Sequence, residues 1–147
     1  MKRFEFRLAT LLRLREAERD ECRTRLASAM GVEAELHTQM QQLQAKISAA
    51  RRDYTADVGH VDVDRLLAAQ RYEIVLEMDR RRLAEQQVVV AAEIETCRTA
   101  LVEADRAVRV LERLRETQRE RWRAEAEKQE HKLLDEIATQ RYLRQEV

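Results

Sequence analysis

Apolar residues recur at alternating steps of three and four along two long blocks of this chain, and this heptad spacing constrains the fold more than any other feature. In the first block eleven of fourteen such positions are apolar, whereas the chain-wide apolar fraction of 44% predicts about six. A stripe of this kind is the buried seam of a coiled coil, so we predict a long helix over about residues 5–56. The fourteen positions are Leu8, Leu12, Arg15, Arg19, Cys22, Leu26, Ala29, Glu33, Leu36, Met40, Leu43, Ile47, Ala50 and Tyr54.

A second block with the same spacing begins at residue 66, and again eleven of its fourteen positions are apolar. Between the blocks, residues 56–64 hold Gly59, β-branched residues and aspartates suited to a helix N-cap. We therefore predict a loop over about residues 57–63 and a second helix over about residues 64–145. The second set is Leu66, Ala69, Glu73, Leu76, Arg80, Leu83, Gln87, Val90, Ile94, Cys97, Leu101, Ala104, Val108 and Leu111.

The two blocks match layer for layer when the second runs back along the first, from Tyr54 opposite Leu66 to Leu8 opposite Leu111. With no proline and two glycines, the chain also lacks the turn residues of β-rich and α/β folds. We predict one all-α domain over residues 1–147, an antiparallel two-helix coiled-coil hairpin with a longer, overhanging C-terminal helix. At ~1.5 Å per residue the helices span ~80 Å and ~120 Å, which leaves an overhang of roughly 40 Å.

The seam leaves open whether the two helices pair within one chain or between chains, and whether the two cysteines lie close enough to crosslink. The same stripes would serve two chains in an intermolecular coiled coil, although the matched layers and the break favour the hairpin. The hairpin also puts Cys22 and Cys97 in one layer, where a Cα separation in the disulfide range of about 4.4 to 6.8 Å is plausible. Neither cysteine has a C-x-x-C partner, so a zinc or redox motif is not indicated.

Composition and motifs exclude several classes of function. Lys plus Arg and Asp plus Glu are each 28, so the net charge is zero, and the arginines of residues 113–123 are interleaved with Glu112, Glu116 and Glu120. Nucleic-acid binding therefore lacks its electrostatic basis. No apolar run reaches the roughly 18 to 20 residues of a membrane span, and His37, His60 and His131 are too far apart in the hairpin to share a metal. With no catalytic or nucleotide-binding motif, we predict a cytoplasmic protein-binding chain that is not an enzyme and holds no cofactor.

Apolar and aromatic residues concentrate at three places besides the seam. At the end formed by the termini, Phe4, Phe6, Leu11 and Leu14, with Val110 and Leu114 opposite, form either a thicker core or a docking surface. Near the loop we expect Tyr54 to be partly core and Tyr72 to be the more exposed. The overhang carries residues without a partner in the first helix, which bind a second copy, form a binding surface or fray: Trp122, Leu133, Leu134, Ile137, Tyr142 and Leu143.

Three segments resemble the flagellar export protein FliJ family. They are F-x-F-R-L-x-x-L-L-R-L-R-E at residues 4–16, L-E-R-L-R-E at 111–116 and K-L-L-D-E-I-A at 132–138. The resemblance covers the whole chain, including its length and unequal helices. It implies a cytoplasmic component of the flagellar type III export apparatus at the basal body. Such a component is similar to the central stalk of rotary ATP synthases, and it supports motility by regulating an ATPase.

The resemblance also implies partners and candidate sites. Family members bind the hexameric export ATPase FliI, promote its ring assembly, contact the export gate protein FlhA and escort export chaperones. Carried onto this chain, the ATPase-binding set is Phe4, Phe6, Leu8, Leu11, Leu12, Leu111, Leu114 and Arg115. The gate-binding set is Leu43, Ile47, Tyr54, Tyr72 and Leu76. The alternatives are a stalk protein of a virulence-type secretion system and a self-associating coiled-coil scaffold.

Overall fold

Two long helices make up nearly all of the chain that the computed structural model describes, which is residues 3–56, 59 and 62–145. Helix α1 spans Ala9–Ala56 and helix α2 spans Val63–Gln145, 48 and 83 residues respectively. No strand occurs within these residues. The fold is therefore all-α with two helices of unequal length, consistent with the predicted coiled-coil hairpin. Residues 57, 58, 60 and 61 of the predicted loop lie outside the described part of the chain.

Helix α2 begins with an aspartate cap. The Asp62 Oδ1 atom accepts a hydrogen bond of 3.1 Å from the backbone N–H of Asp64, and the Asp62 carbonyl accepts one of 3.0 Å from Leu66. The side-chain bond satisfies an N–H that is otherwise unpaired in the first turn of a helix, and the carbonyl bond is the first backbone bond of α2. An aspartate of the predicted break thus fixes the start of α2.

Helix α1 begins at Ala9, four residues later than the spacing predicts. Residues 3–6 have no regular structure and residues 7 and 8 form a turn, closed by a 3.1 Å bond from the Ala9 N–H to the Phe6 carbonyl. Apolar spacing cannot identify this start, because the same Phe4 that would extend the stripe contacts Trp122 of α2 instead. The N-terminal segment is therefore a separate packing element.

The chain divides into two compact units, each containing parts of both helices. The first unit comprises Met1–Asp20 and Val102–Val147, and the second comprises Glu21–Leu101. In the second unit one apolar cluster joins α1 and α2, and Leu26, Met40 and Ala50 pack against it. Its buried members are Ala29, Leu36, Leu43, Ile47, Leu76, Leu83, Val90 and Ile94.

In the first unit the buried side chains are Leu12 and Val108, and Val108 is fully inaccessible to solvent. All buried residues of the described chain, in both units, occupy positions that the heptad spacing selected. Polar seam positions are more open: Arg15 and Arg19 are half-buried, and Glu33 is exposed. Long charged side chains can cover a seam with their stems while their heads stay in water.

Candidate protein-docking surfaces

Three segments of the first unit meet around an open cavity of about 260 Å³. The N-terminal segment contributes Phe4 and Phe6, the first turns of α1 contribute its opposite wall, and α2 contributes Arg115. Ala9 and the buried Leu12 supply apolar lining, while Arg13, Glu16 and Arg115 supply charge. The cavity thus has a mixed apolar and charged lining, and protein interfaces likewise combine apolar contacts with polar ones.

The predicted ATPase-binding set contains buried, half-buried and exposed residues. Leu8, Leu11 and Leu114 are 37%, 37% and 38% exposed, so they form surface. Leu12 is buried, whereas Phe4, Phe6 and Leu111 are half-buried and Arg115 is exposed. The half-buried phenylalanines fit a thicker core, and the exposed leucines fit a docking surface, so the two alternatives each describe part of this region.

Trp122, which we expected to lack a partner in the first helix, pairs with a residue of the segment that precedes α1. Its ring centroid lies 6.1 Å from that of Phe4, with the ring planes tilted by 51°. Aromatic pairs prefer such tilted arrangements to face-to-face stacking. The signal was present in the sequence, because continuing the seam spacing from Leu111 by steps of four, three and four reaches residue 122. The side chains of α2 beyond this pair, from residue 127 to residue 144, are all exposed, including the other apolar residues predicted for the overhang.

The predicted gate-binding set, in the second unit, consists of three buried residues and two exposed ones. Leu43, Ile47 and Leu76 belong to the buried cluster, so they do not form an accessible surface. Tyr54 and Tyr72 are 57% and 50% exposed. The expectation that Tyr54 is partly core and less exposed than Tyr72 is therefore wrong, because Tyr54 lies in the last turn of α1, where the seam ends.

An ion pair between the two helices lies beside these tyrosines in sequence. Arg51 Nε of α1 donates to Glu73 Oε1 of α2 at 3.1 Å, and both residues line an open groove with Gln70, Ile74 and Glu77. The pair is well exposed, so it contributes little stability. Sequence spacing placed Glu73 on the seam opposite Ile47 but did not identify its partner, because a heptad pattern specifies layers and not the reach of flanking side chains.

Two kinds of site, a cluster of metal ligands and a membrane-spanning helix, are absent from the described residues. Among them no three His, Cys, Asp or Glu side chains are grouped so that they would hold a metal ion. Neither α1 nor α2 is apolar enough over a sufficient length to cross a membrane. Both cysteines, Cys22 and Cys97, are free and half-buried.

A family model described as flagellar FliJ protein matches residues 4–147. The chain belongs to the FliJ family. It is accordingly a component of the flagellar protein export machinery, as the three sequence segments suggested. The match includes the N-terminal segment with Phe4 and Phe6 as well as both helices. No curated protein and no solved structure matches the chain significantly.

Proposed function

We propose that this FliJ-family chain is a cytoplasmic adaptor of the flagellar export apparatus, similar to a central stalk and without enzymatic activity. It binds the hexameric export ATPase FliI, promotes assembly of the ATPase ring and links the ring to the export gate protein FlhA. The observation that carries the proposal is the family match over residues 4–147. The exposed leucines of the first unit and the exposed tyrosines of the second supply two separate surfaces for these contacts.

The ATPase contact is assigned to the first unit because its exposed leucines adjoin buried and half-buried apolar side chains, which hold them in place. Leu8 lies in the turn just before α1 and Leu11 in the first turn of the helix, next in sequence to the cavity-lining residues Ala9 and Leu12. Preordered apolar side chains lose little conformational freedom on binding, which favours affinity. The charges of Arg13, Glu16 and Arg115 at the cavity affect the association rate and its salt dependence more than the dissociation rate.

The test replaces Leu11 and Leu114, which are 37% and 38% exposed, and far-UV circular dichroism checks that the variant stays folded. Leu11→Asp combined with Leu114→Asp puts two carboxylates on the surface, and we expect at least tenfold weaker binding to purified FliI. The matched control is Leu133→Asp, since Leu133 is more exposed and lies in the same unit but outside the candidate set. Equal affinity of the double variant and the control would remove the assignment.

The gate contact is assigned to Tyr54 and Tyr72, the exposed members of the loop-proximal set. Tyrosine supplies a large contact area at low entropic cost and is enriched in the cores of protein interfaces. We expect Tyr72→Ala to weaken binding to purified FlhA severalfold in a titration, and Tyr142→Ala to leave it unchanged. Tyr142 is similarly exposed, so it controls for the loss of a surface tyrosine. Unchanged affinity for Tyr72→Ala would count against this surface.

Two further parts of the proposal rest on the family alone. Export chaperones are partners that the chain escorts, and the basal body at the inner membrane is the place where it acts. The family match favours the flagellar apparatus over the virulence-type alternative. Mixing the chain with FliI and with a virulence-type export ATPase tests this choice, because only the flagellar ATPase should be stimulated.

A further inference from the structure

Helix α2 carries a second row of residues at heptad spacing, on the side facing away from the buried seam. Leu76, Leu83 and Val90 are buried in the cluster of the second unit. A step of two residues turns an α-helix by ~200°. The residues two positions before and after each of these three therefore lie on the opposite side of α2. We call this set the outer face; its members are Ile74, Met78, Arg81, Glu85, Val88 and Ala92.

The outer face has an apolar part at each end and one charge of each sign between them. Ile74 and Met78 form the first apolar part, and Val88 and Ala92 form the second. Ile74, Met78 and Val88 are among the most exposed large apolar side chains of the described residues, at 60%, 65% and 71%. Isolated exposed apolar residues are ordinary, but a stripe at heptad spacing is the signature of a helix interface.

This order of residues is self-complementary, and we propose that a second copy of this chain binds the outer face. When two α2 helices pair antiparallel about a two-fold axis at the level of Leu83, Ile74 meets Ala92 of the other copy and Met78 meets its Val88. Arg81 of each copy then meets Glu85 of the other. Three residues beyond the layer of Ile74 and Ala92, Arg71 meets Glu95. Every layer from 71 to 95 is thus either apolar with apolar or arginine with glutamate.

When one α2 helix is shifted by one heptad along the other, charged residues no longer meet residues of opposite charge in every layer. A shift of one heptad in one direction sets Ile74 against Glu85 and Met78 against Arg81. The opposite shift sets Met78 against Glu95, and Arg81 and Glu85 each against an apolar residue. Burying a charge opposite an apolar side chain is unfavourable, so the charged central layers select one register. The occupant has to supply apolar residues and opposite charges in this order, and the same helix read in reverse supplies them.

The charges of the central layers are available for such pairing. Charged residues next to Arg81 form ion pairs within α2: Arg80 pairs with Glu77, and Arg82 pairs with Asp79 at 3.4 Å. Within the described part of the chain, Arg81 and Glu85 take part in no ion pair or hydrogen bond. Pairing between copies at the central layers therefore breaks no ion pair, whereas the outer Arg71–Glu95 layer competes with the pair that Glu95 forms with Arg98 at 2.6 Å.

The expected dimer is reversible. Its apolar layers are few and its centre holds ion pairs, which specify register more than they add affinity. The outer face lies in the second unit and shares no residue with the proposed ATPase-binding or gate-binding sets. The inference therefore does not rest on the proposed function.

Charge exchange tests the proposal on the full-length chain. We expect wild-type protein to show a concentration-dependent monomer–dimer equilibrium by sedimentation equilibrium from low to several hundred micromolar. Arg81→Glu and Glu85→Arg each create two like-charge layers, so each variant alone should dissociate at least tenfold more readily. An equimolar mixture of the two should dimerise again, because every central layer then joins opposite charges. Arg52→Glu, at an exposed position on α1, matches the first charge change and should leave the equilibrium unchanged.

Each of two results would overturn the proposal. A wild-type chain that stays monomeric over this range would leave the outer face to a helix of another protein. A dimer that both charge variants retain, with unchanged far-UV circular dichroism, would place the interface elsewhere.

Discussion

Truncating Val108 to alanine tests whether the heptad seam is the structural core of the first unit. Val108 is fully inaccessible to solvent, whereas Val110, two residues later on the same helix, is 66% exposed. Removing two methyl groups from a buried site loses ~1.6 kcal/mol of transfer free energy. A residual cavity adds to this loss at ~24 cal/mol per Å³, and the better helix propensity of alanine offsets about 0.5 kcal/mol. We expect Val108→Ala to lower the free energy of unfolding by about 1 to 2.5 kcal/mol.

Val110→Ala is the matched control. Only about a third of this side chain is covered, so the lost transfer free energy is about 0.5 kcal/mol and the gain in helix propensity cancels it. The assay is urea denaturation followed by the fluorescence of Trp122, the single tryptophan, which lies in the same unit as both valines. Equal destabilisation by the two substitutions, or a larger effect of Val110→Ala, would refute the assignment of the seam.

One further prediction rests on the layer that the heptad spacing assigns to the two cysteines, and two rest on observed contacts. Mild oxidation should crosslink Cys22 to Cys97 within one chain and alter its mobility on a non-reducing gel; Cys97→Ser should abolish the shift, and a crosslink only between chains would contradict the layer assignment. Arg51→Ala and Glu73→Ala should show a coupling free energy below about 1 kcal/mol in a double-mutant cycle, because their ion pair is exposed. Phe4→Ala should shift the tryptophan emission to longer wavelength, because it removes the ring beside the indole, and an unchanged spectrum would contradict that contact.

The seam was predictable because one physical requirement, burial of apolar surface along a helix, dominates those positions. Leu12, Ile94 and Val108 are each buried at the places the spacing selected. The glycine and aspartates of the break marked the region where α1 ends and α2 begins, and Asp62 supplies the cap. Secondary structure and core thus follow from periodicity in a chain with so few turn residues.

The surfaces were less predictable because periodicity describes what is buried and not what remains accessible around it. The pattern carried no signal for the late start of α1 at Ala9, since the path of residues 3–8 depends on a contact between Phe4 and Trp122, far apart in sequence. Exposure of Tyr54 depends on how the helix ends, which a repeating spacing cannot express. Leu43 and Leu76 were assigned to a surface by the resemblance alone, and they belong to the core, as their seam positions predict.

The central claim is that this chain promotes assembly and activity of the export ATPase. The most direct test mixes purified chain with its cognate FliI, measures ATP hydrolysis and counts closed rings by negative-stain electron microscopy. We expect stimulated hydrolysis together with more closed rings, and Leu11→Asp with Leu114→Asp should reduce both. Absence of binding to FliI, in a chain that self-associates, would contradict the adaptor proposal and favour the scaffold.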